Sequence, residues 1–566
     1  MKRPFKYGAL IILLALMVLP LQAAAEEIDR DLGETTVMNL LSQQVSLRYA
    51  ASHPEATRGP LRQAGERMAE ISAAARRQTQ SSSLAARSGL ARQLGDRFNL
   101  DDVGLPQNEE SVAVCPSKPR YVLSGTNDYR GLLDPQGNFT GYYFSTDGGR
   151  SVAKEGLLPS ITSGGEPAEL PSGGDPVIQT DADCNFYFVD LNYPADNPFA
   201  NRNGIGLYKT TLDTLLSCPR GEDPDDLTQP ECWPERKLVA FTDVPPETGV
   251  GSFLDKPWFD VGPDGSGGQV IWIAYSDFNL DPDTPLGFTG AQIRAVRCDA
   301  ETLECSEPIL ISRTDEDIQF ADVTVANDGS TLITWVQIEG ELEETAQVFT
   351  VKAVVIPPGS MEPGPTRLVN REVNPIPFAG FLHANDFRVA TYPKSIMPLI
   401  GGEPRIFIMW DRCRALILDN VCEEAQIFMT YSDDLGETWS PVQTISRDGD
   451  NYFPAVSDEY GTGRFAAAWF TNRRDRLFHN RQDVEMVAID ARTAQITKRT
   501  IVTRLQNESE ADPVLGGLFI GDYIDVDTAG GVALVAYNAN YRRIRVLGDG
   551  FQIPQQDNYL SRRSMD

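Results

Sequence analysis

From Glu109 onward, apolar and polar residues alternate in short runs separated by turns rich in Asp, Gly, Pro or Asn. ESVAVCPSKPRYVLSGTND, DPVIQTDADCNFYFVDLN and DKPWFDVGPDGSGGQVIWIAYSD are three such stretches. IQFADVTVANDGSTLITWVQ, RVATYPKSIMPLIGGEPRIFIMWDR, NYFPAVSDEYGTGRFAAAWFTNR and GDYIDVDTAGGVALVAYNAN are four more. An alternating run followed by a tight turn and a more continuously apolar run predicts a β-hairpin. A third extended piece follows six of the hairpins: TGYYFSTD, GIGLYKTT, GAQIRAVR, QVFTVKAVV, AQIFMTYSD and DVEMVAID. A fourth, such as EPILIS or SPVQTIS, follows in most units. One four-stranded sheet cannot bury both of its faces alone. Repeats of this kind, spaced by roughly 50–75 residues, therefore predict an all-β propeller whose blades stack into a ring. Seven blades are expected, with six as the alternative, because the last unit is short after RRIRVLG and its ring would close with a strand from elsewhere.

The pattern before this differs. Within 26–105, Leu61, Ala64, Met68 and Ile71 recur at helical spacing in a stretch poor in strand formers, which predicts one or two helices. LDDVGLPQNEE then leads into the propeller, expected over 106–566. At the start, Lys2, Arg3 and Lys6 precede an apolar run from Ala9 to Leu21 and the small residues Ala23-Ala24-Ala25. That order reads as a cleavable export signal over 1–25 and a secreted or periplasmic protein, with no membrane span once the signal is removed. An uncleaved anchor helix is the alternative, although the run is short for a bilayer span.

Eight cysteines fit export. Local couples pair Cys298 with Cys305, Cys413 with Cys422 and Cys218 with Cys232, and elimination leaves Cys115 with Cys184. A metal role for them is the weaker reading, since no CxxC occurs and His53, His383 and His479 are scattered. A net charge of −30 argues against nucleic acid or an anionic membrane as partner, because the long-range field repels phosphate. No metal or cofactor is called for. Structural calcium is the one candidate, through acidic turns such as PDGSGG at Asp264 or the stretch Asp190–Pro198, although no twelve-residue calcium loop is present. Nothing fixes the oligomeric state.

SDDLGETW links the third and fourth strands of the fifth repeat. Ser432, Asp434, Gly436, Thr438 and Trp439 are placed as a turn needs them: Ser and Asp bond its backbone, Gly supplies an unusual dihedral and Trp packs beneath. STDGGRSV, with Ser145, Asp147, Gly149 and Ser151, is a degenerate copy at the same place in the first repeat. These turns resemble the S-x-D-x-G-x-[ST]-W Asp-box of the sialidase-like (BNR-repeat) propellers, and the resemblance covers most of Glu109 to Gly550. It implies the fold and gives the turns a structural role. In that family an arginine triad grips the substrate carboxylate, a Tyr–Glu pair supplies the nucleophile and an Asp serves as acid/base. The short F/Y-R-I-P motif that usually carries the first arginine is missing. The segment ahead of STDGGRSV offers only NDYRG, with Asp128 and Arg130. The activity is therefore not carried over with the fold. If the protein is an enzyme, the resemblance implies a glycoside hydrolase.

Topology places a site on the rim opposite those turns, where second strands end and first strands begin. Asp128, Arg130, Arg412 and Arg473 lie at strand-two ends, and Asp255, Lys256, Asp386, Arg388, Asp522 and Tyr523 lie at strand-one starts. The stretches Asp277–Thr289 and Cys413–Cys422 are expected there as long strand 2–3 loops, and long loops on a rigid scaffold commonly carry function. Arg with carboxylates and aromatics suits an acidic or hydroxyl-rich ligand. The structural alternative is that polar residues simply solvate strand ends. Arg130, Arg388 and Arg412 are expected to be exposed and dispensable to the fold. Two functions follow. One is an exported protein that binds, and in the stronger form hydrolyses, acidic glycans. The other is a non-catalytic scaffold whose ring face binds a protein.

Overall fold

The alternating segments become strands because one set of side chains packs against the neighbouring sheet while each backbone pairs within its own. In the computed structural model they form a seven-bladed propeller. It describes residues 41 and 43–566 apart from 55–56, 58, 80–96, 101–104, 163–168, 196–200, 220–226, 246–247, 282, 285–286, 313–317, 340–347, 374–379, 418–420, 460, 513, 516, 542 and 546–551. The proposed export signal lies outside the described residues. The innermost strands are Gln107–Val114, Val177–Thr180, Gly251–Pro263, Ile318–Val325, Lys394–Ile396, Asn451–Glu459 and Asp525–Ala529, one for each of blades 1 to 7. All seven line one central channel of about 150 Å³.

Six blades have four antiparallel strands in chain order or its reverse. The seventh has three, Asp525–Ala529, Val532–Ala539 and Asp557–Ser564. Its edge receives a strand from the other end of the chain: Arg97 bridges Tyr559, and the Phe98 N–H donates to the Asn558 carbonyl at 2.7 Å. Arg97 also pairs with Asp557 at 2.6 Å. The RRIRV piece instead forms a separate hairpin, Arg543–Arg545 with Gln552–Pro554.

Adjacent inner strands are too far apart to form a ladder, and aspartates span the gap. Asp525 and Asp527 of blade 7 accept from the Val112 and Val114 N–H groups of blade 1 at 3.0 and 2.7 Å. Asp260 accepts from Val325 at 2.7 Å and Asp322 from Ser395 at 2.8 Å, joining blades 3, 4 and 5. These bonds satisfy buried backbone donors that would otherwise be orphaned.

Both predicted turns have the bonding their sequences require. Ser432 Oγ accepts from the Gly436 N–H at 2.8 Å, and Asp434 accepts from the Thr438 N–H and hydroxyl at 2.8 and 2.6 Å. Ser145, Asp147, Gly149 and Ser151 repeat this set. Gly436 and Gly149 hold φ of +83° and +78°, and Trp439 packs against Gly436. The four disulfides join the expected partners. One loop is shorter than expected: in blade 3 the strands Gln269–Leu280 and Phe288–Asp299 run into both ends of the Asp277–Thr289 stretch and leave 281–287 between them. Among its described residues the N-terminal segment forms two α-helices, α1 (Gln43–Ser52) and α2 (Gly59–Thr79). Among the described residues no helix is long and apolar enough to cross a membrane.

Candidate functional site at the channel mouth

A repeated backbone irregularity builds the site. In blades 1, 3, 4 and 6 the register of the inner strand slips by one residue near its start, between 108 and 111, 255 and 258, 319 and 322, and 452 and 455. The first extra residue in each case, Glu109, Lys256, Phe320 or Phe453, has φ between +51° and +59°. Asp175, just before the inner strand of blade 2, has φ +54°. A bulge of this kind re-aims a side chain, and non-glycine residues in this region carry strain that the surrounding structure must hold. Here Glu109, Asp175 and Lys256 converge at the mouth of the channel, where loops entering blades 5 and 7 add Arg388, Tyr392, Asp522 and Tyr523.

Asp522 is the hub. Arg388 Nε donates to Asp522 Oδ1 at 2.8 Å, and Arg388 Nη2 and Lys256 Nζ both reach Oδ2. Lys256 Nζ also lies 3.7 Å from Asp175 and 3.9 Å from Glu109. Glu109 accepts from the Asp522 N–H at 3.1 Å and from Asn127 Nδ2 at 2.7 Å. The two carboxyls are driven apart. Burial, reinforced by Asp175, pushes Glu109 well above the usual carboxylate range, towards its protonated form. Burial acts on Asp522 in the same sense, but Arg388 and Lys256 outweigh it and hold that carboxyl well below the range. Burial opposes the charge of Lys256 too, and Asp175, Asp522 and Glu109 together overcome it and raise its pKa.

Aromatic rings wall the pit. Trp258 meets Tyr523 edge-on with centroids 5.4 Å apart, and Tyr392 lies 4.0 Å from Phe320. Tyr523 OH donates to the Pro176 carbonyl, whereas the buried Tyr392 hydroxyl has no hydrogen-bond partner among the described residues. The cavity beneath is about 20 Å³, space for a water and far below the ~300 Å³ of a small-molecule site. The N-terminal segment reaches the edge of the pit: the Leu41 carbonyl accepts from Arg388 Nη1 at 2.8 Å, and Gln44 Nε2 donates to the Gly173 carbonyl at 2.8 Å.

Of the ten rim residues singled out in the sequence, Lys256, Arg388, Asp522 and Tyr523 meet in this pit. The other six lie elsewhere. Asp128 and Arg130 pair with each other, with Arg130 also bonding Glu155 at 2.8 Å and Tyr143 OH donating to Asp128 at 2.7 Å. Asp255 is buried near Tyr193. Arg412 stacks over Phe428, Arg473 reaches Glu485 at 3.4 Å, and Asp386 is exposed with its N–H donating to Glu510. The expectation that the rim arginines are exposed fails for two of them: Arg130 is 4% and Arg388 7% exposed, because buried carboxylates draw both inward. Sequence reasoning missed Glu109, Asp175 and Tyr392. Asp175-Pro176, Lys256-Pro257, Tyr392-Pro393 and Phe453-Pro454 all stand where an inner strand starts or is about to start, so a recurring X-Pro at that register was the available signal.

Neither a protein-family model nor a curated protein matches the sequence. Solved propellers do match the structure. A Hadza microbial sialidase aligns over 74% of this chain and 73% of its own, with 11% identity and a TM-score of 0.38. The endosialidase of phage phi92 aligns over 83% and 69% with 9% identity and a TM-score of 0.41. An α-L-arabinofuranosidase of Fusarium graminearum aligns over 67% and 94% with 10% identity and a TM-score of 0.37. The likeness is one of fold. What this propeller does must be argued from its own pit. Among the described residues no three His, Cys, Asp or Glu side chains form a metal-ligating group, and the Asp264 carboxylate is occupied by the Ser266 and Gly268 N–H groups and the Ser266 hydroxyl of its own turn.

Proposed function

We propose that this is an exported, sialidase-like propeller that binds acidic glycans at the channel mouth and hydrolyses a glycosidic bond there. One observation carries the reading: a carboxyl held towards its protonated form, Glu109, adjoins one held ionised, Asp522, in a single buried pit. Carboxyls pushed to opposite states by their surroundings mark acid and base roles, and glycoside hydrolysis uses such a pair. In this reading Glu109 protonates the leaving oxygen as the glycosidic C–O bond breaks, ionised Asp522 stabilises the positive charge that develops on the sugar ring, and water then adds to the anomeric carbon and returns a proton to Glu109. Arg388 and Lys256 supply the cations for an acidic substituent, and Tyr392, Tyr523 and Trp258 supply the aromatic wall.

A glycan array with sialoside hydrolysis in parallel tests this. Binding of acidic glycans is expected, with hydrolysis reduced at least 100-fold in Glu109→Gln, in line with the ~10²–10⁴-fold contribution of a general acid. A bare array overturns the reading.

A second reading, a protein-binding scaffold, is favoured by Leu477 and Phe478. They are 78% and 64% exposed at the tip of the strand 2–3 loop of blade 6, beside Arg476. Adjacent large apolar side chains left in water are a mark of interaction surfaces. Capture of a protein partner that is lost in Phe478→Ser, with no glycan bound, would select it.

A further inference from the structure

Away from the pit, two of the chain's three histidines meet beside one buried carboxylate. His383 lies on the segment entering blade 5, and His479 lies on the strand 2–3 loop of blade 6, directly after Phe478. Their ring centroids are 5.7 Å apart. Asp450, just ahead of the inner strand of blade 6, has its Oδ2 3.8 Å from His383 Nδ1. Its side chain is 1% exposed, whereas that of His383 is 37% exposed. Burial raises the Asp450 pKa, and both histidines act against that rise.

The backbone around the pair is fixed. The His383 N–H donates to the Cys422 carbonyl at 3.1 Å, next to the Cys413–Cys422 disulfide. Asn472 Nδ2 donates to Asp450 Oδ2 at 2.6 Å and to the His479 carbonyl at 2.7 Å, and the Ala425 N–H donates to Asp450 Oδ1 at 3.0 Å. Asn385 Nδ2 reaches across to the Asn480 carbonyl at 3.0 Å and ties the two loops together. His479 itself has φ +58°, a strained conformation that these bonds hold in place.

Imidazoles are favoured ligands of Zn²⁺, Ni²⁺ and Cu²⁺, and a metal-binding histidine commonly turns its other ring nitrogen to a carboxylate. His383 has that arrangement: with Nδ1 facing Asp450, its Nε2 points away from the carboxylate. Negative charge nearby favours a cation, since Glu510 accepts from Asn385 Nδ2 and from the N–H of exposed Asp386 at 3.0 and 2.7 Å.

We infer that His383 and His479 together bind one Zn²⁺ ion, with Asp450 positioning His383 and not itself a ligand. Two imidazoles leave two positions of a tetrahedral ion to water. The ion clasps the blade 6 loop that carries Leu477 and Phe478 to the segment of blade 5 that leads to Arg388. This site stands or falls without the glycan reading.

Calorimetric titration of the chelator-treated full chain with ZnCl₂ tests it. One ion per chain should bind. His383→Ala and His479→Ala should each weaken binding by about tenfold or more, and Asp450→Asn by about 10–100-fold, the usual effect of removing a metal ligand's carboxylate partner. His53→Ala should change nothing. In the unaltered chain Zn²⁺ should slow amide hydrogen exchange in 473–482 by about tenfold and leave blades 2 and 3 as they were, a readout that needs no variant to fold. The inference is overturned if no ion binds, if exchange in 473–482 is unmoved, or if His53→Ala abolishes binding. It is overturned equally if any of the other three variants melts cooperatively and still binds Zn²⁺ as the unaltered chain does.

Discussion

Tyr392 offers the cleanest test at the scale of one residue. Its hydroxyl is buried without a partner, and burial drives its pKa well above that of a free phenol. Tyr392→Phe removes an unsatisfied group and keeps the ring on Phe320, so melting should be unchanged or up to a few degrees higher. If the hydroxyl takes part in hydrolysis, turnover should fall while glycan binding persists. A large loss of stability would show that the hydroxyl is bonded after all. Arg130 and Arg388 should behave in the opposite way. Arg130→Ala takes the ion-pair partner from buried Asp128 and should lower stability by about 3–5 kcal/mol in denaturant titrations, whereas Arg388→Ala leaves Asp522 with Lys256 and should lower it by less.

The closure and the turns belong to the scale of elements. Arg97 and Asp557 pair almost out of solvent where the first and last parts of the chain meet. Arg97→Ala should therefore loosen blade 7 first, and hydrogen exchange in Asp557–Ser564 should rise before exchange in blades 3 and 4 does. Uniform loosening of all blades would contradict the idea of a local clasp. The turn at Ser432 is a different matter, because it lies on the face opposite the pit. Ser432 and Thr438 hold the Asp434 carboxyl at a pKa of about 2, with their bonds favouring the ionised form. Asp434→Ala and Trp439→Ala should lower the melting temperature and leave glycan binding per folded molecule unchanged.

The channel dominates the pH response of the whole molecule. Burial pushes Asp260 up to about 8, Asp527 and Asp411 to about 7, and Asp458, Asp525 and Asp512 to about 6. A carboxyl with a raised folded pKa binds its proton more tightly folded than unfolded. Its contribution is complete below the unfolded value and is lost as pH rises through the folded one. Asp522 has the opposite sign, with a depressed pKa whose contribution is lost as pH falls below the ordinary carboxylate range. Burial lowers Lys394 to about 8, which affects only the range above that. Melting temperature should therefore peak in mildly acid solution and fall between pH 5 and 8. Calorimetry showing a flat or rising profile over that interval would refute this balance.

The sequence by itself determined the repeat, the seven hairpins, the order of strands within most blades, the two bonded turns and the four disulfides. Each is a local matter, period-two alternation, turn residues at fixed offsets or cysteines near in the chain, except Cys115–Cys184, which spans 69 residues and followed by elimination. It also determined which rim would gather Lys256, Arg388, Asp522 and Tyr523, because strand direction follows from counting strands. Only the tertiary structure decided the rest. Glu109 looked like an ordinary residue at a strand's start until the bulge turned it into the channel mouth, and a bulge is set by pairing with a partner strand. Arg130 and Arg388 looked like solvated charges until carboxylates near and far in the chain met them out of water. Helical periodicity marked α2, but periodicity fixes only which stripe is apolar and not what it will cover. Leu41 and Val45 reached the core of blades 2 and 3 through contacts with residues more than a hundred positions away, an outcome set by the shape of the assembled ring.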